Sequence, residues 1–180
     1  MERRTAIKNL LVLAGGVVLI PSCIQQSSEA SIALKNLKIN GNDEKLLAEI
    51  AETILPATKT PGAKDVYAHL FALKMVDDCY EKEVQQKFTK GLKEVNNLAK
   101  EQYNKSFIDC NAQQRNAIVA TLEKEKEADT DRASFYKTLK SLTVQSFLSS
   151  QYVLTNILKY ELVPGRYNGF APVIKKQNAA

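Results

Sequence analysis

The chain's 180 residues, 44% hydrophobic and 25% charged, suffice for one domain that buries roughly two thirds of its unfolded surface. Seven Gly and no Trp argue against a turn-rich β-sandwich or a glycine-dense nucleotide site, and one His with three Cys leaves little for a metal centre. Setting aside residues 1–23 removes Arg3, Arg4, Lys8 and Glu2; 22 basic and 19 acidic residues remain, too balanced for nucleic acid to be an expected partner.

Residues 1–9 are short and basic, and an apolar run follows over residues 10–20. Eleven residues in a helix reach only about 16 Å, half the hydrocarbon thickness of a bilayer, so the run is expected to be a signal core and not a span. Arg3-Arg4, with Thr5-Ala6-Ile7-Lys8 behind it, resembles a twin-arginine export signal; the other reading is an ordinary basic leader. Ile20-Pro21-Ser22-Cys23 resembles a lipobox, in which Cys23 would carry the acyl chains, although Pro21 is an unusual occupant. Without lipidation, Cys23 is an exposed thiol near a conventional cleavage site. Two or more acyl chains suffice for stable anchoring. The Ser-, Gln- and Asn-rich stretch 24–42 then reads as a flexible tether.

From residue 43 the periodicity is helical. Leu46, Leu47, Ile50, Ala51 and Ile54 share a face, and Pro56 stops the helix. Residues 56–64 form a loop, and a second helix carries Val66, Leu70, Leu73, Val76 and Cys79 inward. The third has the clearest stripe: Val84, Phe88, Leu92, Val95, Leu98 or Ala99, and Tyr103. Gly91 within it costs about 1 kcal/mol against Ala and marks a close helix contact. Asn111 and Gln114 are spaced as a capping box opening a fourth helix with Ile118, Val119 and Leu122 inward. Residues 123–132 are charged and read as a frayed end and connector. A fifth helix places Phe135, Leu139, Leu142, Ser146 and Phe147 on one stripe, and 149–160 can add a short last one. The Gly and Pro residues beyond 161 forbid regular structure. The expected fold is all-α: a single compact helical domain of five to six helices with an irregular C-terminal segment.

The inventory of chemistry is sparse. No glycine-rich phosphate loop occurs, and His69 has no second imidazole to share a metal with. Asp77-Asp78 and the acidic residues of 123–127 fit solvated helix faces better than ligand sets. With Cys23 lipidated, Cys79 and Cys110 are the two remaining thiols of an exported protein, and a disulfide between them would close a loop of about 30 residues. The alternative is two buried reduced cysteines.

Ile54-Leu55-Pro56-Ala57-Thr58 with Thr60-Pro61-Gly62-Ala63, then Leu142-Thr143-Val144-Gln145-Ser146-Phe147, then Tyr160-Glu161-Leu162-Val163-Pro164-Gly165-Arg166-Tyr167-Asn168-Gly169, resemble in order and spacing the gluconate 2-dehydrogenase subunit 3 family. The resemblance covers residues 43–172 and leaves 173–180 as a tail. It implies a small, non-catalytic subunit with no cofactor of its own. Its partner would be a GMC-type FAD-dependent sugar dehydrogenase, with a cytochrome c as an electron acceptor. In such complexes the small subunit carries the export signal for a flavoprotein that lacks one, which places this chain in the periplasm. Cys23 departs from the soluble members by giving the chain an anchor of its own.

A chain that escorts a folded flavoprotein needs a broad interface and slow dissociation. Tyr152, Leu154, Tyr160, Val163, Pro164, Arg166, Tyr167 and Phe170 are the expected contacts, since Tyr and Arg are enriched at interface hot spots. The competing readings are a C-terminal tail folded back over its own helices, and a lipid-anchored helical interaction protein with an unrelated partner.

Overall fold

Asn40 begins the first helix by reaching forward: its side-chain oxygen accepts the N–H groups of Asn42 and Asp43, both at 2.9 Å, while the Asp43 carboxylate accepts the Asn40 N–H. In this computed structural model, which describes residues 29–158, 160–163, 165, 169 and 170, five α-helices follow in order. They are α1 (Gly41–Ile54), α2 (Ala68–Cys79), α3 (Lys82–Tyr103), α4 (Ala112–Lys124) and α5 (Asp131–Leu148). A 3-10 turn, Phe107–Asp109, lies between α3 and α4, and a π-helical turn, Val153–Ile157, follows α5. The described residues contain no β-strand, only one antiparallel bridge between Glu29 and Asn40. The all-α expectation holds, as does the capping box at Asn111 and Gln114, which opens α4.

One apolar core joins all five helices. Leu47, Ile50, Leu73, Val76, Leu92, Val95, Ile118, Leu122, Leu139 and Leu142 are all buried in it. Phe88 of α3 and Phe135 of α5 meet at its centre, with ring centroids 4.9 Å apart and planes tilted by 57°. Gly91 permits that approach, because a Cβ there would lie 2.3 Å from Phe135 Cβ and 2.6 Å from the Asp131 carbonyl oxygen. The sequence expectation of a close contact at Gly91 is met.

The loop between α1 and α2 is held by one side chain. Glu52 accepts the N–H groups of Ala57 at 3.0 Å and Lys64 at 2.9 Å, and Gly62 is wedged against this arrangement with no room for a side chain. Ala51, Ala63 and Ala68 pack together beneath it. Arg115 of α4 ties the 3-10 turn to α1, donating to the carbonyl oxygens of Phe107 and Ile108 and to the Glu49 carboxylate.

Three expectations are corrected. Residues 29–40, within the expected tether, are a strap docked on the core. The backbone N–H groups of Lys35, Asn36 and Leu37 converge on the Asp77 carboxylate at 2.7–2.8 Å, Leu37 is buried, and Ile32, Leu34 and Ile39 pack on the core. Asp77 therefore faces inward, and the solvated face expected for Asp77-Asp78 exists only at Asp78. The Cys79–Cys110 disulfide is not formed: both thiols are free, Cys79 exposed at the end of α2 and Cys110 buried in the core. The physical reason is the turn of α2, which directs Leu73, Val76 and Asp77 inward and its last residue outward. The short helix expected over 149–160 is present, as the π-helix Val153–Ile157.

Candidate partner interface

Thr130 caps α5 by accepting the Ala133 N–H at 3.1 Å. The helix then buries Phe135, Tyr136, Leu139, Leu142, Thr143 and Ser146. Phe147, the last member of the expected stripe, is only partly buried. Val144 and Leu148, four residues apart and so on one face, point outward. A helix with apolar side chains on both faces is suited to being covered from both sides.

Ser149 ends α5, its N–H and its hydroxyl both donating to the Gln145 carbonyl. The chain widens into the π-helical turn, where Leu158 N–H reaches the Val153 carbonyl at 2.9 Å and Tyr160 N–H reaches that of Leu154 at 2.8 Å. Val153 is buried and pins this turn; Tyr152 and Leu154 on either side are half-covered. Beyond it the side chains turn to solvent: Tyr160 is 58% exposed, and Leu162 and Val163 are each 81% exposed.

Of the expected contacts, Tyr160, Val163 and Phe170 lie at the surface and Tyr152 and Leu154 at its margin. Pro164, Arg166 and Tyr167 lie outside the described residues, as do Arg3, Arg4 and Lys8 of the signal and Cys23. The sequence reading missed Val144, Leu148, Leu158 and Leu162 as surface residues. The signal for the first two was present, as apolar residues off the inward stripe of α5.

A polar margin flanks the ridge. A groove of about 380 Å³ runs beside Val144, lined by Lys126, Glu127, Tyr136, Lys137, Lys140 and Ser141. Lys126, Lys140 and the Tyr136 hydroxyl converge on Glu123 at 2.8, 2.6 and 2.8 Å and draw its carboxyl down to about 2. Burial raises the Tyr136 phenol, and its bond to Glu123 adds to that. An apolar ridge with a charged margin is the anatomy of a protein–protein contact.

Elsewhere, His69 is partly buried beside α1. Burial lowers its pKa, Glu44 opposes this and Lys64 reinforces it, and its Nδ1 has no hydrogen-bond partner among the described residues. Among the described residues no three His, Cys, Asp or Glu side chains gather as a metal site would need, and no helix is long and apolar enough to cross a membrane.

The family model for gluconate 2-dehydrogenase subunit 3 matches residues 42–165. The chain belongs to that family. It is thus a small accessory subunit of a dehydrogenase complex, and its associate is the catalytic subunit. No curated protein and no solved structure matches the chain. The matched region ends within the exposed C-terminal segment, so the family's extent includes α5, its outward face and the π-helical turn.

Proposed function

We propose that this subunit 3 chain is a non-catalytic partner that binds, stabilises and escorts for export an FAD-dependent GMC-type sugar dehydrogenase. The cofactor and the redox step belong to the partner, and this chain supplies the grip, the export signal at Arg3-Arg4 and a lipid anchor at Cys23. One observation carries the grip: Val144, Leu148, Leu158, Tyr160, Leu162 and Val163, six exposed large apolar side chains, fall within a stretch of twenty residues. Exposed apolar surface concentrated in this way marks a binding face. A flavoprotein that takes up FAD in the cytoplasm must cross the membrane folded, and a tightly held companion with a twin-arginine signal lets one signal export two chains.

The test is recovery of a tagged copy from the native host, where a flavoprotein gene lacking an export signal is expected beside this one. A tagged copy should bring down a yellow partner, and replacing Arg3 and Arg4 by Lys should leave that partner in the cytoplasm. Recovery of the tagged chain alone, without flavin absorbance, would reject the proposal.

A further inference from the structure

Between the strap and the start of α3 lies a groove of about 400 Å³ whose lining includes Lys38, Lys82 and Lys90 and no carboxylate. Lys38 and Lys82 form no ion pair among the described residues. Lys90 reaches Asp131 only at 3.9 Å, and the neighbouring Glu83 is occupied by Lys87 at 2.8 Å. The remaining lining, Asn36, Leu37, Gln85, Gln86 and Thr89, is neutral. The groove's own lining is therefore positively charged, while Glu29 shares the adjoining cavity with Lys38.

Its place in the molecule gives it a partner. Asp77 fixes residues 35–37 on the body, and the bridge between Glu29 and Asn40 brings the chain's entry to within two residues of Lys38. From Cys23 to Glu29 there are six peptide steps, an upper reach of about 20 Å. With Cys23 acylated, the strap would hold this pole of the domain beside the bilayer, since residues 29–40 are not available as slack.

We infer that the lysine-lined pole formed by the strap and the first turns of α3 rests on the membrane, with Lys38, Lys82 and Lys90 against anionic phospholipid headgroups. This rests on the lipid anchor proposed at Cys23, and it adds an orientation: the domain is seated on its strap. Each lysine near an anionic surface favours the bound state about fivefold.

The experiment uses the mature, lipidated protein in vesicles of phosphatidylcholine alone or with one third phosphatidylglycerol, treated with a water-soluble amine-acetylating reagent and mapped by mass spectrometry. In the anionic vesicles, labelling of Lys38, Lys82 and Lys90 should fall about fivefold. Lys100, 18 residues along α3 from Lys82 and so about 27 Å away, should label equally in both. The Lys38→Glu, Lys82→Glu double variant should lose the protection of Lys90 while keeping its acyl groups. Equal labelling in the two vesicle types on an acylated chain, or protection of Lys90 that survives the double variant, would overturn the headgroup contact alone. A Cys23 peptide without acyl mass would instead overturn the anchor and this orientation with it.

Discussion

The two irregular ends of the described domain, 29–40 and 149–163, carry similar loads of apolar side chains and meet opposite fates. In the strap, Leu37 is buried and Ile32, Leu34 and Ile39 lie against the core; in the C-terminal segment, Leu158, Tyr160, Leu162 and Val163 face solvent. The strap has an acceptor on the body, the Asp77 carboxylate, for three consecutive backbone N–H groups, and Asn36 also donates to the Asp77 carbonyl at 2.8 Å. Gln85 reinforces that corner, its amide donating to the carbonyl oxygens of Val76, Asp77 and Tyr80 at 3.0–3.1 Å. By contrast, the bonds donated by Thr155, Asn156, Leu158 and Tyr160 all return to residues no more than six positions back. Local bonds shape a segment without docking it. The strap shows how an apolar end is drawn onto its own body when the body offers polar partners for its backbone.

The largest effect expected on the chain's own stability comes from removing that acceptor. Asp77→Ala leaves the N–H of buried Leu37 and those of its two neighbours without their partner, at a cost of about 3 kcal/mol. Urea denaturation measures the loss, and hydrogen exchange locates it: amides 35–37 should lose protection first. If they stay protected in the variant, the contrast between the two ends has another cause.

Gly91→Ala should cost about 2 kcal/mol in the same assay. The better helix propensity of Ala is outweighed because the added Cβ must push α3 away from Asp131 and Phe135 of α5. This sharpens the comparison, since α5 presents the outward ridge only while α3 holds its inner face. A neutral or stabilising result would show that the two helices can separate freely.

Acid distinguishes the ends more gently. Burial pushes the Asp77 carboxyl up, but the N–H groups of Lys35, Leu37 and Asn36, with Lys74, outweigh it and hold it below its ordinary 3.8. A depressed carboxyl contributes stability that is present above its unfolded value and lost as pH falls through its folded one. Strap protection, read by exchange at amides 35–37, should therefore persist at pH 3.8 and fade below it. Glu123, lowered to about 2, should release Lys126, Lys140 and Tyr136 as the pH falls through that value.

Much of this was legible in the sequence. The helical stripes of α1, α3 and α4 name the buried residues almost individually, and Gly91 and the Asn111 cap carry physical signals that survive without tertiary context. Asp77 does not: its inward orientation depends on a strap forty residues away, and a lone Asp on a helix reads as solvated until that strap is placed. Cys79 fails for the same reason, since the side of α2 that seemed apolar by spacing ends one turn before it. In the C-terminal segment, Tyr160 and Val163 stood out because no helix could bury them. Val144 and Leu148 were hidden by their neighbours, because a helix apolar on two faces gives no clean stripe from which an outlier can be picked.

The smallest effect on the chain itself separates the two ends most sharply. Leu162→Asp with Val163→Asp places two charges where the side chains are already in water, so the unfolding free energy should change by less than about 0.5 kcal/mol. Capture of the flavoprotein should nevertheless fall by at least about tenfold, as expected when anchors at the centre of an interface are replaced by charge. Leu37→Asp gives the converse pattern, because it charges a buried position of the strap and lowers stability first. If the C-terminal pair instead destabilises the isolated chain and leaves capture intact, residues 158–163 pack on their own body and the grip lies elsewhere.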